Sequence, residues 1–153
     1  MQERHLDRQR YFHELENTSR EFYVKYLATQ QHITAQSKVL EVGCGDASLW
    51  TQNIDRIPAD MQITLTDISY GMVRDATRNV GADDKRFTYE VMDAHRLYKQ
   101  DASYDCVIAD HVLFYCDNLD AVCSEILRVL KPGGVFVCSK YSSRHMKEIN
   151  DLV

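Results

Sequence analysis

A chain of 153 residues, 44% hydrophobic and 27% charged, has the length of one domain and the makeup of an ordinary globular protein. No apolar run approaches the roughly 20 residues of a membrane-spanning helix, and Met1-Gln-Glu-Arg-His lacks the basic-then-apolar pattern of a secretory signal. The expectation is a cytoplasmic protein with no membrane partner, and a net charge of −5 gives no bulk attraction to nucleic acid.

Residues 1 to about 30 carry Phe12, Leu15, Phe22, Tyr23, Tyr26 and Leu27 in an intermittent stripe without Pro or Gly, which predicts helix. Asn17-Thr18-Ser19 is the expected break, with Thr18 or Ser19 capping a second helix. Arg4, Arg8 and Arg10 alternate with Glu3, Asp7 and Glu14, the pattern of a solvated helix face. Residues 1–36 are therefore expected to form a helical cap or lid ahead of a core over residues 37–153. Tyr11 and Tyr23 belong to such a lid or to core packing, and their helical spacing favours packing.

From Ser37 the pattern changes. Ser37-Lys-Val-Leu-Glu-Val-Gly43 predicts a short strand and a glycine loop, followed by a helix from about Ala47 to Ile54. Met61 to Thr66 is a second strand, with a helix from about Ser69 to Val80. Arg86 to Val91 is a third strand and Tyr104 to Ala109 a fourth. An amphipathic helix follows, carrying Leu119, Val122, Ile126, Val129 and Leu130, until Lys131-Pro-Gly-Gly stops it. Val135 to Ser139 is a fifth strand, and the last residues begin another helix. Strands alternating with helices imply an α/β fold with a doubly wound, mainly parallel sheet and helices on both faces. Ligands of such sheets bind at the loops that follow the strands.

Those loops carry the polar signals. The first reads Glu41-Val-Gly43-Cys44-Gly45-Asp46-Ala-Ser48. Two glycines flanking one residue permit a tight turn or a close approach to a ligand. A pyrophosphate-binding loop of the dinucleotide type wants a third Gly where Ser48 stands, and Glu41 and Asp46 would repel a diphosphate. They suit a phosphate-free ligand with a cationic end, such as S-adenosylmethionine with its ammonium and sulfonium groups. Asp67, 22 residues after Gly45, ends the second strand, where an acid accepts both hydroxyls of a ribose; it or Ser69 could instead cap the next helix. Asp93 after the third strand has two open roles, accepting from an adenine amino group beside the Ala94 backbone donor, or capping its own loop.

Together these loops resemble the class I S-adenosylmethionine-dependent methyltransferases, most closely their small-molecule type. The resemblance runs from about Val39 to Tyr141 and rests on Glu41-x-Gly43-x-Gly45, Asp67, Asp93-Ala94, and Ile126-x-Arg128-Val129-Leu130-Lys131-Pro132-Gly133-Gly134, in the proper order and spacing. It implies a Rossmann-like fold in which Glu41 and the glycine loop, Cys44 included, hold the methionine part. Asp67 would take the ribose, Ile68 and Met72 would flank the adenine, and Asp93 with Ala94 would read its edge. It implies a methyl acceptor of small-molecule type and S-adenosylhomocysteine as product. The fourth loop, Asp110-His111-Val-Leu-Phe-Tyr115, faces the transferred methyl in such proteins. His111 is the candidate general base, because imidazole titrates near neutrality, or else a residue that orders its loop. Tyr115 would cover the cofactor or fill the core.

Two expectations concern departures. Proteins of this class usually add two strands after the fifth, and this chain has too few residues for both. The fifth strand would then be an exposed edge, which fits either a portion excised from a longer protein or an edge covered by a second copy; a homodimer or aggregation through that edge is the expectation. Of the five cysteines none forms a C-x-x-C pair, and the six histidines lack ligand spacing, so neither disulfides nor a metal site are expected. A binding module without catalysis, and a nicotinamide-dependent oxidoreductase, are the competing functional classes.

Overall fold

The computed structural model describes Phe12–Glu16, residues 34–110 and residues 112–140. Strand β1 is Phe12–Glu16, β2 Lys38–Val42, β3 Gln62–Asp67, β4 Phe87–Val91, β5 Tyr104–Ala109 and β6 Leu130–Lys140. Helix α1 is Ser48–Thr51, α2 Tyr70–Val80 and α3 Leu119–Val129. All strand pairs are parallel, in the order β1-β6-β5-β2-β3-β4. This is the doubly wound, Rossmann-like α/β sheet expected from the alternation of elements. From β2 the chain moves outward through β3 and β4, then returns to place β5 on the other side of β2. The switch of direction lies between β2 and β5, where such folds open a crevice at the carboxyl ends.

Period-two alternation divides the strand residues between two cores. Val39, Ile63, Leu65, Cys106, Ile108, Val135 and Val137 face α1 and α2, packing with Leu49, Trp50, Ala76 and Phe87. Leu40, Val42, Val107, Ala109, Phe136 and Cys138 face α3, whose Val122, Ile126 and Val129 are fully buried. Helix α2 starts where the Ser69 hydroxyl accepts the Met72 N–H, and α3 where Asn118 accepts from Ala121. No helix among the described residues is long and apolar enough to cross a membrane.

Three expectations need correction. The amino-terminal helix is not what forms at Phe12–Glu16, which is a strand paired with Phe136–Lys140; the remainder of residues 1–33 lies outside the described residues, as does the helix expected after residue 140. That pairing also covers the outer edge of the fifth predicted strand, so the open edge that suggested a homodimer is occupied by the chain itself. Helix α1 is shorter than expected. The buried Asn53 amide donates to the Leu49 carbonyl at 2.7 Å and replaces the next helical bond, and a 3-10 turn follows at Ile54–Arg56. The Lys131-Pro-Gly-Gly stop acts as foreseen on α3 but falls within β6, where Leu130 pairs with Tyr104 and the register slips before Val135 meets Cys106. A Pro and two glycines inside a strand are tolerated at such an irregularity.

Candidate functional site

At the carboxyl ends of β2 and β3 the glycine turn and two acids form one hydrogen-bonded unit. The turn leaves β2 with Gly43 at φ +68°, and a Cβ at that position would run into the Val112 side chain from the loop after β5. Cys44 donates its N–H to the Thr66 carbonyl at 2.8 Å, and Thr66 Oγ1 donates to the Glu41 carbonyl at 2.8 Å. Gly45, at φ +57° with open space around it, donates its N–H to Asp67 Oδ2 at 3.0 Å. Asp67 Oδ1 accepts the Ser69 N–H at 2.9 Å. Asp67 thus ties the turn to the start of α2, while the cap itself is made by Ser69. Asp46 accepts the Ser48 N–H and pairs with its hydroxyl, and the Asn79 amide holds the Asp46 carbonyl at 3.0 Å.

Glu41 is set by the same alternation that builds the cores. Leu40 and Val42 face α3, so Glu41 faces α1, where it is only 1% exposed and accepts a hydrogen bond from the indole Nε1 of Trp50. A buried carboxylate costs solvation and persists when polar groups hold it. Its charge is felt at the turn. The Cys44 thiol is pushed far up, by burial first and then by the charges of Glu41, Asp67 and Asp46. It stays protonated, and this environment disfavours anions.

The next loop along the edge continues the site. Met92 donates its N–H to the Asp67 carbonyl at 2.9 Å, joining the ends of β3 and β4. Asp93 Oδ1 accepts the His95 N–H at 2.9 Å and meets the His95 ring at Nδ1, 2.7 Å away. These bonds, the backbone one first, hold the Asp93 carboxyl below its ordinary range. The loop-capping role foreseen for Asp93 is therefore realised, through one oxygen. The Ala94 N–H donates to no group among the described residues. Ile68 and Met72, beside Asp67, leave 70% and 37% of their surfaces exposed.

Of the residues read from the sequence, Glu41, Gly43, Cys44, Gly45 and Asp67 are linked by these contacts, with Ile68 and Met72 following directly. Asp93 and Ala94 join them through Met92. Asp110 follows β5, half-buried, on the opposite side of the switch point. His111, Tyr11 and Tyr23 lie outside the described residues. Tyr115 is 77% exposed and does not fill the core. Two contributors were missed. Trp50 carries no sequence signal beyond its apolar character within α1, and His95 carries the weak signal of standing two residues after an Asp, the spacing of an Asx turn.

Comparison with known proteins identifies the family and the fold. The family described as "Methyltransferase domain" matches residues 40–138, more than half of the chain. A malonyl-[acyl-carrier protein] O-methyltransferase of Geobacter sulfurreducens is 31% identical over 113 residues, covering 74% of this chain and 42% of the relative. A demethylmenaquinone methyltransferase of Symbiobacterium thermophilum is 30% identical over 115 residues, covering 74% and 46%. Among solved structures, the [4+2]-cyclase SpnF superposes with a TM-score of 0.64 at 28% identity, covering 76% of this chain and 43% of that one. The chain spans less than half the length of each of these proteins.

Proposed function

The chain belongs to the methyltransferase-domain family of the class I S-adenosylmethionine-dependent methyltransferases, and from that premise we propose that its carboxyl-edge cleft holds S-adenosylmethionine while a small-molecule acceptor takes the methyl group, leaving S-adenosylhomocysteine. When bound, the cofactor supplies a methyl carbon already activated by its sulfonium. The chain's own task is to bind, orient and keep water away.

The observation that carries this reading is the gathering of Glu41, Asp46 and Asp67 around the Gly43–Gly45 turn, whose charges add to burial in raising the Cys44 thiol. A diphosphate would meet three acids there, and an ammonium would be attracted. Glu41 and the turn would hold the amino-acid end. Asp67 keeps lone pairs beyond those taken by Gly45 and Ser69, and they suit two ribose hydroxyls. Ile68 and Met72 offer apolar surface to an adenine ring, and Asp93 with the Ala94 N–H would read its edge. Asp110 and the loop after β5 would face the methyl. His111 would act as base only for an acceptor that must lose a proton.

The acceptor is left at the level of a small molecule or carrier-bound acyl group. The relatives' names point to a malonyl carrier protein in one case and a quinone precursor in the other. Calorimetry with S-adenosylmethionine, S-adenosylhomocysteine and NAD tests the cleft: saturable binding of the first two and none of NAD is expected, and the reverse overturns the reading. A second reading, a module that binds without transferring methyl, is favoured by the likeness to a protein titled a [4+2]-cyclase. Binding without methylated product from malonyl thioesters or hydroquinones would support it.

A further inference from the structure

His95 makes more contacts than a loop residue needs. Its Nε2 accepts the backbone N–H of Asn118 at 3.2 Å, at the start of α3. A backbone N–H is only a donor, so Nε2 is the unprotonated nitrogen and Nδ1 carries the hydrogen. The Nδ1–H then donates to Asp93 Oδ1, the oxygen that already accepts the His95 backbone N–H. Oδ1 is filled by two donors. Oδ2 accepts none among the described residues, although half of the Asp93 side chain is exposed. The far end of the bridge is equally fixed, since the Asn118 side chain caps α3 by accepting the Ala121 N–H at 3.1 Å.

A carboxylate on a loop normally turns about its side-chain bonds and offers either oxygen. Here the imidazole removes that freedom, because rotation would break the bond to Nδ1 while the ring is anchored to α3. We propose that His95 is a positioning residue for adenine recognition, presenting Asp93 Oδ2 as the acceptor for the exocyclic amino group of the bound nucleoside. The proposal rests on the reading of the cleft as an S-adenosylmethionine site and adds the source of its base selectivity. A carboxylate oxygen fixed in this way rewards a ligand that carries a donor and penalises one that presents nothing or a carbonyl.

The test compares S-adenosylhomocysteine with its analogue lacking the 6-amino group, by calorimetry, on the wild type, His95→Phe and His95→Asn. Phe removes both ring nitrogens, whereas the Asn amide can donate from close to the position of Nδ1. The wild type is expected to prefer the amino ligand by about tenfold, the usual worth of a charge-assisted hydrogen bond. In His95→Phe the preference falls to within about threefold, with affinity for the amino-free analogue unchanged, and His95→Asn restores most of it. Unchanged discrimination in His95→Phe, or equal weakening of both ligands, overturns the positioning role alone. A wild type that binds neither ligand overturns the cleft reading and the role built on it.

Discussion

The two ends of the sheet are built on opposite electrostatic rules. At the amino ends of the strands, basic side chains meet acids. Arg128 binds both oxygens of Glu125, Asp101 at 2.8 Å and the carbonyls of Leu97 and Lys99 at 2.6 Å each, clamping the loop before β5 onto α3. Lys131 reaches Asp105, whose other oxygen accepts the Lys38 N–H that opens β2. Arg86 pairs with Asp84 and holds the Ile54 and Ile57 carbonyls. At the carboxyl ends, Asp67 is held by backbone N–H groups alone, Asp93 by His95, and Glu41 accepts from an indole. Left-handed backbone occurs at both ends, at Gly43, Gly45 and Ala47 on this side and at Gly81, Ala102 and Gly133 on the other. The amino end is held by arginine and lysine ion pairs, whereas Asp67 and Asp93 at the carboxyl end are held by backbone N–H groups and a histidine. Acidic groups gathered at the ligand-binding edge of a fold are a common mark of a functional site.

The largest effect should come from breaking the turn where it touches β5's loop. Gly43→Ala incurs left-handed strain of about 1–2 kcal/mol and a collision with Val112 worth about 1–3 kcal/mol more. Gly45→Ala, with nothing near its Cβ, should lose only the strain. Urea denaturation of the two variants separates these, and adding Val112→Ala should return part of the loss to Gly43→Ala but none to Gly45→Ala. Equal losses in the two single variants would remove the contact across the switch point from the account. At the other end, Arg128→Met should lower stability by about 2 kcal/mol by orphaning carbonyls and Glu125. Affinity for S-adenosylhomocysteine should stay within about twofold of wild type. A large loss of affinity without loss of stability would mean that the two ends are not separate in function.

The same contrast explains what could be read in advance. Strands β2 to β6 and helices α2 and α3 announce themselves because buried parallel strands are short apolar runs and the helices keep their period and stops. The loop acids follow, since topology dictates which ends of the strands carry ligands. What escaped depends on partners distant in sequence. Phe12-His-Glu-Leu-Glu16 has no strand pattern of its own and pairs only because Phe136–Lys140 offers an edge. The Arg128 clamp closes on carbonyls about thirty residues away, and His95 meets Asn118 with the whole of β5 between them in the chain. Nothing local to those side chains names their acceptors. The amino end was therefore almost invisible beforehand, and the carboxyl end largely visible.

Glu41→Gln sharpens the contrast at smaller scale. The amide keeps the shape and can still accept from Trp50, while the buried charge is lost. Affinity for S-adenosylmethionine should fall about tenfold, near 1.4 kcal/mol. Stability should hold or rise, because desolvation of a buried carboxylate and repulsion from neighbouring acids are relieved. Calorimetry and thermal unfolding on the same preparation measure both. A stability loss with affinity intact would make Glu41 a structural residue.

The smallest effect is a difference in acid response. Hydrogen bonds from Arg128 hold Glu125 below its ordinary 4.5, those from Arg86 hold Asp84 below 3.8, and those from His95 do the same for Asp93. A carboxyl whose pKa is lower in the folded chain stabilises it fully above the unfolded value, and the contribution disappears as pH falls through the folded value. These three groups should leave stability flat from neutrality down to about pH 5 and subtract from it below, with most of the loss from Asp84 and Glu125, whose ion pairs are the better screened from solvent. Arg128→Met should flatten the acid limb of the stability profile by removing the Glu125 share, whereas Asp93→Asn should scarcely change that limb and should act on nucleoside affinity instead. If Asp93→Asn flattened the limb as much as Arg128→Met, the carboxyl end would be carrying the fold as well as the ligand, and the division of labour between the two ends would not hold.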